Sequence, residues 1–283
     1  MSRLMKNIPL YDNHVHMNEL AANADDFIAR LEAGGATGAN VFSVPPKMYI
    51  FTKEQADYEE RITSLLNLTN GHTDRLFPFL FIHPDEEDIL SKVDDAIGRG
   101  VMGFKMICCD YYVYEDKCMR ILEKIAAADK PVVFHSGILW DGKVSSNYNK
   151  PINWECCLEI PKLRFALSHC SWPWMDECIS MYGKFRAARR IRPDMSCEMF
   201  IDITPGTPQI YRKEMFTKLL LIGYDLETNI LYGTDMRVQN YNPDLLKEKV
   251  MRDNFIYKEL GISDEKKELI YGKNLLRFVG VDK

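Results

Sequence analysis

The 283-residue sequence lacks the features that mark several specialised classes of protein. No apolar run approaches the roughly 18 residues needed to span a bilayer, and the N-terminus lacks the apolar core of a signal peptide. Basic residues are not in excess, since 36 Lys and Arg face 41 Asp and Glu. Without a basic field, neither nucleic acid nor an anionic membrane is expected as a partner. We expect a cytoplasmic protein.

The eight cysteines include no C-x-x-C pair, which argues against a structural zinc knuckle. Reduced thiols, mostly buried as small apolar groups, are expected instead. The densest basic stretch, KFRAARRIRPD from Lys184, is interpreted as the solvated end of a helix before Pro193. A nucleic-acid patch is the alternative reading of that stretch.

Short β-branched or aromatic runs recur along the chain, each followed by a longer segment with helical periodicity. These runs begin near residues 8, 38, 76, 101, 131, 163, 197 and 229. Eight alternating strand and helix units with nearly continuous apolar strands predict a parallel sheet that is buried on both faces. Eight units also suffice to close a barrel, so we expect a (β/α)8 TIM barrel. Residues 1–283 are predicted to form one such domain.

Two connections are longer than a minimal unit requires, near residues 45–53 and 137–155. Both follow the carboxyl ends of strands, which in this fold form the catalytic face. We expect them to shape a pocket there. The last segment, SDEKKELIYGKNLLRFVG, predicts a terminal helix with Ser263 as its N-cap.

Only six histidines exist, and four of them lie at the ends of predicted strands. His14 and His16 end the first strand, His135 the fifth and His169 the sixth, while Asp235 ends the eighth. Side chains at i and i+2 of a strand share a face, so His14 and His16 can bind one ion together. A single histidine at a strand end is more often a hydrogen-bonded or exposed residue. The whole group, however, predicts a site for Zn²⁺ or another borderline divalent ion, with a position left for water.

At these residues the sequence resembles the amidohydrolase superfamily. It is most similar to the branch that includes aminocarboxymuconate-semialdehyde decarboxylase and related lactone hydrolases and hydratases. The motifs that carry the resemblance run nearly from end to end: DNHVHM, GFK, VVFHSG, ALSHCSWPW, ILYGTD and YGKNLLRFVG. The resemblance implies His14, His16, His135 and Asp235 as metal ligands.

In relatives with two metal ions, a carboxylated lysine at the end of strand four bridges the ions, and the histidine of strand six binds the second. Lys105 and His169 match these two positions. An unmodified amine beside a cation would be poorly placed unless it were neutral. In many relatives of this branch a single metal is bound, and the sixth-strand histidine activates water instead. One zinc ion is therefore favoured, with two ions, or Mn²⁺ or another divalent metal, as alternatives.

A metal-bound water has a pKa near 7, so hydroxide becomes available at neutral pH. Asp235 could accept its proton, and His169 could orient the water or stabilise a developing oxyanion. The leading hypothesis is hydrolysis of a lactone, ester or amide. The alternative is a non-oxidative decarboxylase or hydratase of an unsaturated or aromatic acid on the same scaffold. A third reading is a barrel that binds a small acid or a partner protein without catalysis.

Arg237, Trp140 and Trp172 are candidate substrate contacts. Arg237 could pair with a substrate carboxylate or form a salt bridge in the barrel rim, and the indoles could line a pocket or simply pack in loops. His83, in FIHPDE, is expected to orient a neighbour by hydrogen bonding, and Asp12 to support the ligands without touching the ion. The family resemblance implies a homodimer.

Overall fold

A computed structural model describes residues 8–49 and 56–281 of the chain. Its centre is one sheet of parallel strands. The strands are β1 Tyr11–His16, β2 Gly38–Phe42, β3 Leu76–Phe81, β4 Gly103–Met106, β5 Pro131–Phe134, β6 Arg164–Leu167, β7 Glu198–Asp202, β8 Ile230–Leu231 and β9 Met236–Arg237. Each of β2 to β8 pairs with the preceding strand in the chain, and β9 pairs with β1.

The predicted eighth strand is split into β8 and β9. β8 pairs with β7 and β9 pairs with β1. Between them, the Tyr232 carbonyl accepts from Asn13 N at 2.8 Å, and Asp235 N donates to the His14 carbonyl at 3.0 Å. These bonds close the sheet, and the predicted (β/α)8 barrel is confirmed. The interruption coincides with Asp235, whose φ of 61° is incompatible with extended backbone.

Helices surround the sheet and follow the strands in the predicted alternation, except after β5. They are α1 Ala24–Gly34, α2 Tyr58–Thr69, α3 Ile89–Gly98, α4 Asp116–Ala127, α5 Met175–Ile191, α6 Arg212–Leu221, α7 Pro243–Glu259, α8 Asp264–Glu268 and α9 Asn274–Val279. Local signals set several of the boundaries: Gly35, with φ of 90°, caps α1, and Asp57 forms a capping box with Glu60 at the start of α2. Ser263 caps α8 as expected, and a π-helical turn, Leu269–Lys273, joins α8 to α9.

The long connection after β5 contains no α-helix in its described length. It holds two 3-10 segments, Ser146–Asn149 and Pro151–Glu159, and belongs to the predicted 137–155 insertion. Of the predicted 45–53 insertion, residues 50–53 lie outside the described residues, while Tyr49 is buried and donates to the Ile107 carbonyl at 2.6 Å. In residues 8–49 and 56–281, no helix is both long and apolar enough to cross a membrane.

The base of the barrel is filled by aromatic side chains. Phe278 of α9 stacks on Phe79 of β3 at 6.3 Å between ring centroids and meets Phe200 of β7 edge-on at 4.9 Å. All three rings are fully buried. Because α9 packs against the amino end of the strands, the described part of the barrel opens towards the carboxyl ends, where the predicted ligands lie.

Candidate metal centre

Three of the predicted ligands converge at the open end of the barrel. The Nε2 atom of His14 lies 3.6 Å from Asp235 Oδ1, and that of His16 lies 3.4 Å from the same oxygen. One possible ligand atom from each residue lies within 4.8 Å of the others. The two histidines project from one face of β1, as the alternation of a strand predicts.

The carboxylate of Asp235 is held ready to bind a cation. Its backbone has φ of 61°, and its N–H is fixed by the His14 carbonyl. Burial by itself would raise the pKa of Asp235, but the hydrogen bond from His16 and the nearby His14 and His169 rings lower it below its ordinary value. The carboxylate therefore stays ionised at neutral pH.

His135 and His169 complete a group of four imidazoles. The rings of His135 and His169 lie 5.0 Å apart between centroids, and those of His14 and His169 lie 5.3 Å apart. Burial lowers the pKa of His14 and His135 well below the usual value, and that of His169 below it. All three rings are thus neutral and carry a free lone pair.

The fit of these residues to a divalent ion is supported by an unpaired atom. His135 Nε2 is buried and has no hydrogen-bond partner. A buried polar atom without a partner is rare and points to a missing ion or water. Neutral imidazoles around an ionised carboxylate form the donor set that Zn²⁺ and similar ions prefer.

Lys105 lies at the end of β4, buried beside this group. Its Nζ donates to Ser168 Oγ at 3.3 Å and sits 4.9 Å from the centre of the Phe42 ring. Burial lowers its pKa to about 8, although Asp202 and Asp235 oppose that shift. The amine therefore loses its proton more readily than an ordinary lysine, which is the form that carboxylation requires. Its role as a bridging ligand stays a prediction.

Asp202, at the end of β7, is a residue that sequence reasoning missed. Its Oδ2 lies 2.6 Å from His14 Nδ1 and accepts from Asn13 Nδ2 at 3.1 Å, while its Oδ1 accepts from Thr204 N at 2.7 Å. The sequence does contain a signal, because Asp202 ends a predicted strand just as Asp235 does.

Asp12 plays the supporting part expected of it. Its carboxylate accepts from His14 N at 3.1 Å, from Thr234 N at 2.9 Å and from the Tyr241 hydroxyl at 2.8 Å. Burial raises its pKa to about 6, against the effect of these hydrogen bonds. Asp12 thereby ties the first strand to the residues between β8 and β9.

A cavity of about 450 Å³ opens above the ligands. Its polar wall contains His16, Asn18, His135, Asp235 and Arg237, and its apolar wall contains Met17, Pro45, Phe81, Ile107, Leu139 and Trp140. Two of the three predicted substrate contacts, Arg237 and Trp140, therefore face the same space as the ligands. The indole of Trp140 is 80 % exposed at the mouth.

Trp172, the third predicted substrate contact, lines a different cavity, where it stacks on Tyr211 at 6.3 Å between ring centroids. The cause is the backbone before it: His169, Cys170 and Ser171 all have positive φ, from 47° to 60°. This left-handed turn carries the chain from the barrel mouth towards α6. Trp172 is therefore not brought together with the ligands.

One further group of potential metal ligands occurs in the described part of the chain, formed by His83, Cys109 and Asp110. His83 Nε2 lies 3.2 Å from Asp110 Oδ1, and Asp85 N donates to His83 Nδ1 at 3.1 Å. Both ring nitrogens are used, as expected for a histidine that orients its neighbours. Burial and the adjacent Asp110 raise the pKa of Cys109 to about 12, which leaves it protonated.

Comparison with known proteins identifies the family of the chain. A family model described as amidohydrolase matches residues 48–281. The chain belongs to the amidohydrolase family. The resemblance noted in the motifs is thereby confirmed, and the protein is an enzyme of a family that generally uses a divalent metal ion. No curated protein matches the chain.

Solved structures of the same fold include a hydrolase and two decarboxylases. A probable 2-pyrone-4,6-dicarboxylic acid hydrolase from Acinetobacter baumannii has 12 % identity and a TM-score of 0.60, covering 96 % of this chain and 99 % of that one. A manganese-bound 5-carboxyvanillate decarboxylase from Novosphingobium aromaticivorans has 10 % identity and a TM-score of 0.63, covering 97 % of each chain. A 2,6-dihydroxybenzoate decarboxylase has 13 % identity and a TM-score of 0.62, covering 97 % and 99 %. At such identities the likeness shows the fold alone.

Proposed function

We propose that this amidohydrolase-family enzyme is a metal-dependent hydrolase of a small carboxylated lactone, ester or amide. The observation that carries the proposal is the convergence of His14, His16 and Asp235 beside the unpaired His135 Nε2, at the floor of a cavity with Arg237 in its wall. A positively charged guanidinium in the wall of the same cavity suits a substrate with a free carboxylate and a reactive carbonyl.

His14, His16, His135 and Asp235 would hold one ion, for which we favour Zn²⁺, with Mn²⁺ or another divalent ion as the alternative. A second ion would need His169 and a carboxylated Lys105. When bound, the ion lowers the pKa of a water and polarises the substrate carbonyl.

The residues of the chain then divide the remaining work. The ionised Asp235 would accept the proton of the attacking water. His169, a neutral ring within the same group, orients that water or donates to the developing oxyanion. Arg237 binds the carboxylate, and Trp140 covers the apolar part of the substrate at the mouth of the cavity.

The alternative is a non-oxidative decarboxylase or hydratase of a small unsaturated or aromatic acid. It is supported by the likeness in fold to two aromatic acid decarboxylases, whose TM-scores of 0.63 and 0.62 are similar to the 0.60 of the hydrolase. The apolar wall of Phe81, Ile107 and Leu139 would suit a flat ring as well as a lactone.

We place the enzyme in the cytoplasm as a homodimer. All eight cysteines are free, as in a reducing compartment, and seven of them are buried. The dimer rests on the family resemblance alone and would be tested by the mass in solution.

A product assay on the metal-loaded enzyme tests the function. A panel of carboxylated lactones, esters and amides is followed for ring opening or acid release, and a panel of aromatic and unsaturated acids for CO₂. Hydrolysis without CO₂ release supports the proposal, whereas CO₂ release supports the alternative. Absence of bound metal, together with absence of a thermal shift on adding Zn²⁺ or Mn²⁺, would favour a non-catalytic binding barrel.

A further inference from the structure

The end of β7 holds two histidines that come from different strands. Asp202 is its last residue, and Thr204 follows in the connection to α6. Asp202 contacts His14 from β1, and Thr204 contacts His169, which follows β6. The two contacts differ in chemistry, and that difference has a consequence for each ring.

The contact with His14 fixes one tautomer. Asp202 Oδ2 lies 2.6 Å from His14 Nδ1, and the same carboxylate accepts from Asn13 Nδ2 and Thr204 N. A carboxylate that receives two other donors can only accept, so the hydrogen of the neutral imidazole stays on Nδ1. The lone pair of His14 is therefore on Nε2, the atom that faces Asp235 at 3.6 Å.

The contact with His169 holds the ring without fixing its tautomer. Thr204 Oγ1 lies 3.1 Å from His169 Nδ1, and a hydroxyl can either donate or accept. The backbone nearby is close-packed, since a Cβ on Gly206 would stand 2.6 Å from His169 Cβ. His169 itself has φ of 60°, and its carbonyl is 3.5 Å from the Thr207 hydroxyl. Its position is thus determined by the β7–α6 connection while both tautomers stay available.

We propose that Asp202 and Thr204, at the end of β7, give His14 and His169 different roles. Asp202 is a positioning residue that keeps His14 as the Nδ1–H tautomer and hence as a permanent metal ligand. Thr204 is a positioning residue that holds His169 but lets its Nδ1 exchange the roles of donor and acceptor. A ring that either orients a water or donates to an oxyanion needs this freedom, and a metal ligand needs the opposite. The roles of the two rings in metal binding and catalysis rest on the proposed function.

The test measures the tautomers directly. Long-range ¹H–¹⁵N correlation spectra of protein labelled in its six histidines report which ring nitrogen carries the hydrogen. The spectra are recorded first on metal-free protein, with His14 and His169 assigned by single His→Gln variants. We expect His14 to show only Nδ1–H. A His14 ring that carries its hydrogen on Nε2 overturns the proposal without any change to Asp202 or Thr204.

Two variants then separate the tasks. Both oxygens of Asp202 accept hydrogen bonds, and Asp202→Asn leaves only one oxygen to do so. The hydrogen of the His14 ring should therefore shift towards Nε2, and Zn²⁺ affinity should fall roughly 10- to 100-fold. Thr204→Val keeps the shape but removes the hydroxyl, so the His169 signals should change while Zn²⁺ affinity is retained, and Thr204→Ser should restore the wild-type spectrum. Affinity is read by competition with a chromophoric chelator.

Equal losses of Zn²⁺ affinity in Asp202→Asn and Thr204→Val would show that both residues act only on packing, which overturns the proposal. Failure of the proposed function looks different. In that case metal-free spectra still show His14 as Nδ1–H, but the wild-type protein takes up no metal or turns over no substrate.

Discussion

Among single residues, His16 gives the most direct test of metal binding. Its side chain is 24 % exposed, and its Nε2 faces Asp235, so truncation opens no large cavity in the core. His16→Ala should abolish stoichiometric Zn²⁺ uptake and activity and leave the circular dichroism spectrum unchanged, because a histidine ligand is lost while the barrel keeps its packing. The matched control is His72→Ala, a histidine in the loop before β3. Metal retained in His16→Ala, measured by elemental analysis, would contradict the ligand assignment.

Arg237 should govern substrate affinity more than the chemical step. An ion-paired hydrogen bond is worth about 1.5–3 kcal/mol, so Arg237→Gln should raise KM roughly 10- to 100-fold and change kcat little. Steady-state kinetics test this expectation on two substrates: the carboxylated compound that the enzyme hydrolyses, and the same compound with its free carboxylate converted to an uncharged methyl ester. An equal increase of KM on both substrates would mean that Arg237 acts on the barrel rim and does not bind the carboxylate.

Gly233, between β8 and β9, permits a close approach of backbone to the ligands. A Cβ at this position would lie 2.4 Å from Thr204 Cγ2 and 2.8 Å from His14 Cβ. Gly233→Ala should therefore cost about 1–3 kcal/mol in the free energy of unfolding and weaken metal binding, since His14 must move. Gly98→Ala, at the end of α3 with nothing within 4 Å, is the control and should not destabilise. Urea denaturation measures the free energy of unfolding of both variants. A Gly233→Ala protein as stable as Gly98→Ala would refute the clash.

At the scale of elements, β7 is anchored at its start by a charged cluster. Glu198 accepts from Arg277 of α9 at 2.5 Å, from Asn229 at 3.0 Å and from Arg189 of α5 at 3.3 Å. Burial by itself would raise the pKa of Glu198. The hydrogen bond and charge of Arg277 lower it by more, so the pKa lies below its ordinary value. A lowered pKa means that the folded state gains stability from the charge above the unfolded pKa and loses it as pH falls through the folded one.

Glu198→Gln should accordingly be less stable than the wild type by about 1–3 kcal/mol at pH 7. The difference should shrink as pH falls below about 4.3, the pKa of an unperturbed glutamate, because the wild-type carboxylate becomes protonated. Urea titrations at pH 7 and at successively lower pH check the trend. The exposed Glu248→Gln on α7 serves as control, and a difference between Glu198→Gln and wild type that stays constant with pH would reject the ionic explanation.

The alternation of strands and helices could be predicted from the sequence because buried parallel strands read as short apolar runs and helices as spaced apolar positions. The grouping of His14, His16, His135 and Asp235 followed, since all strand ends of a barrel meet at one face. The direction of Trp172 could not be predicted, because it depends on the positive φ angles of residues 169–171. Asp202 was missed because a lone Asp before a turn is ordinary, and only closure of the barrel brings it to His14.

At the scale of the whole molecule, the two ends of the barrel differ in chemistry. Aromatic rings and α9 fill its base, while at the mouth the buried imidazoles of His14, His135 and His169 lie close together, and His135 Nε2 has no hydrogen-bond partner. An unpaired Nε2 that lies away from water costs free energy in the folded state when no ion is bound. Binding of an ion to the folded state alone should therefore raise the stability of the entire domain.

Metal-linked stability gives the last prediction. Protein freed of metal by chelation should gain about 2.7 kcal/mol in the free energy of unfolding at a metal concentration 100 times the Kd, with a rising Tm. Mn²⁺ should be titrated beside Zn²⁺, because the eight cysteines of the unfolded chain bind Zn²⁺ and reduce its apparent effect. His72→Ala should follow the wild-type curve, whereas His16→Ala should stay flat. A parallel rise in His16→Ala would place the stabilising ion elsewhere, with His83, Cys109 and Asp110 as the first group to test by Cys109→Ser.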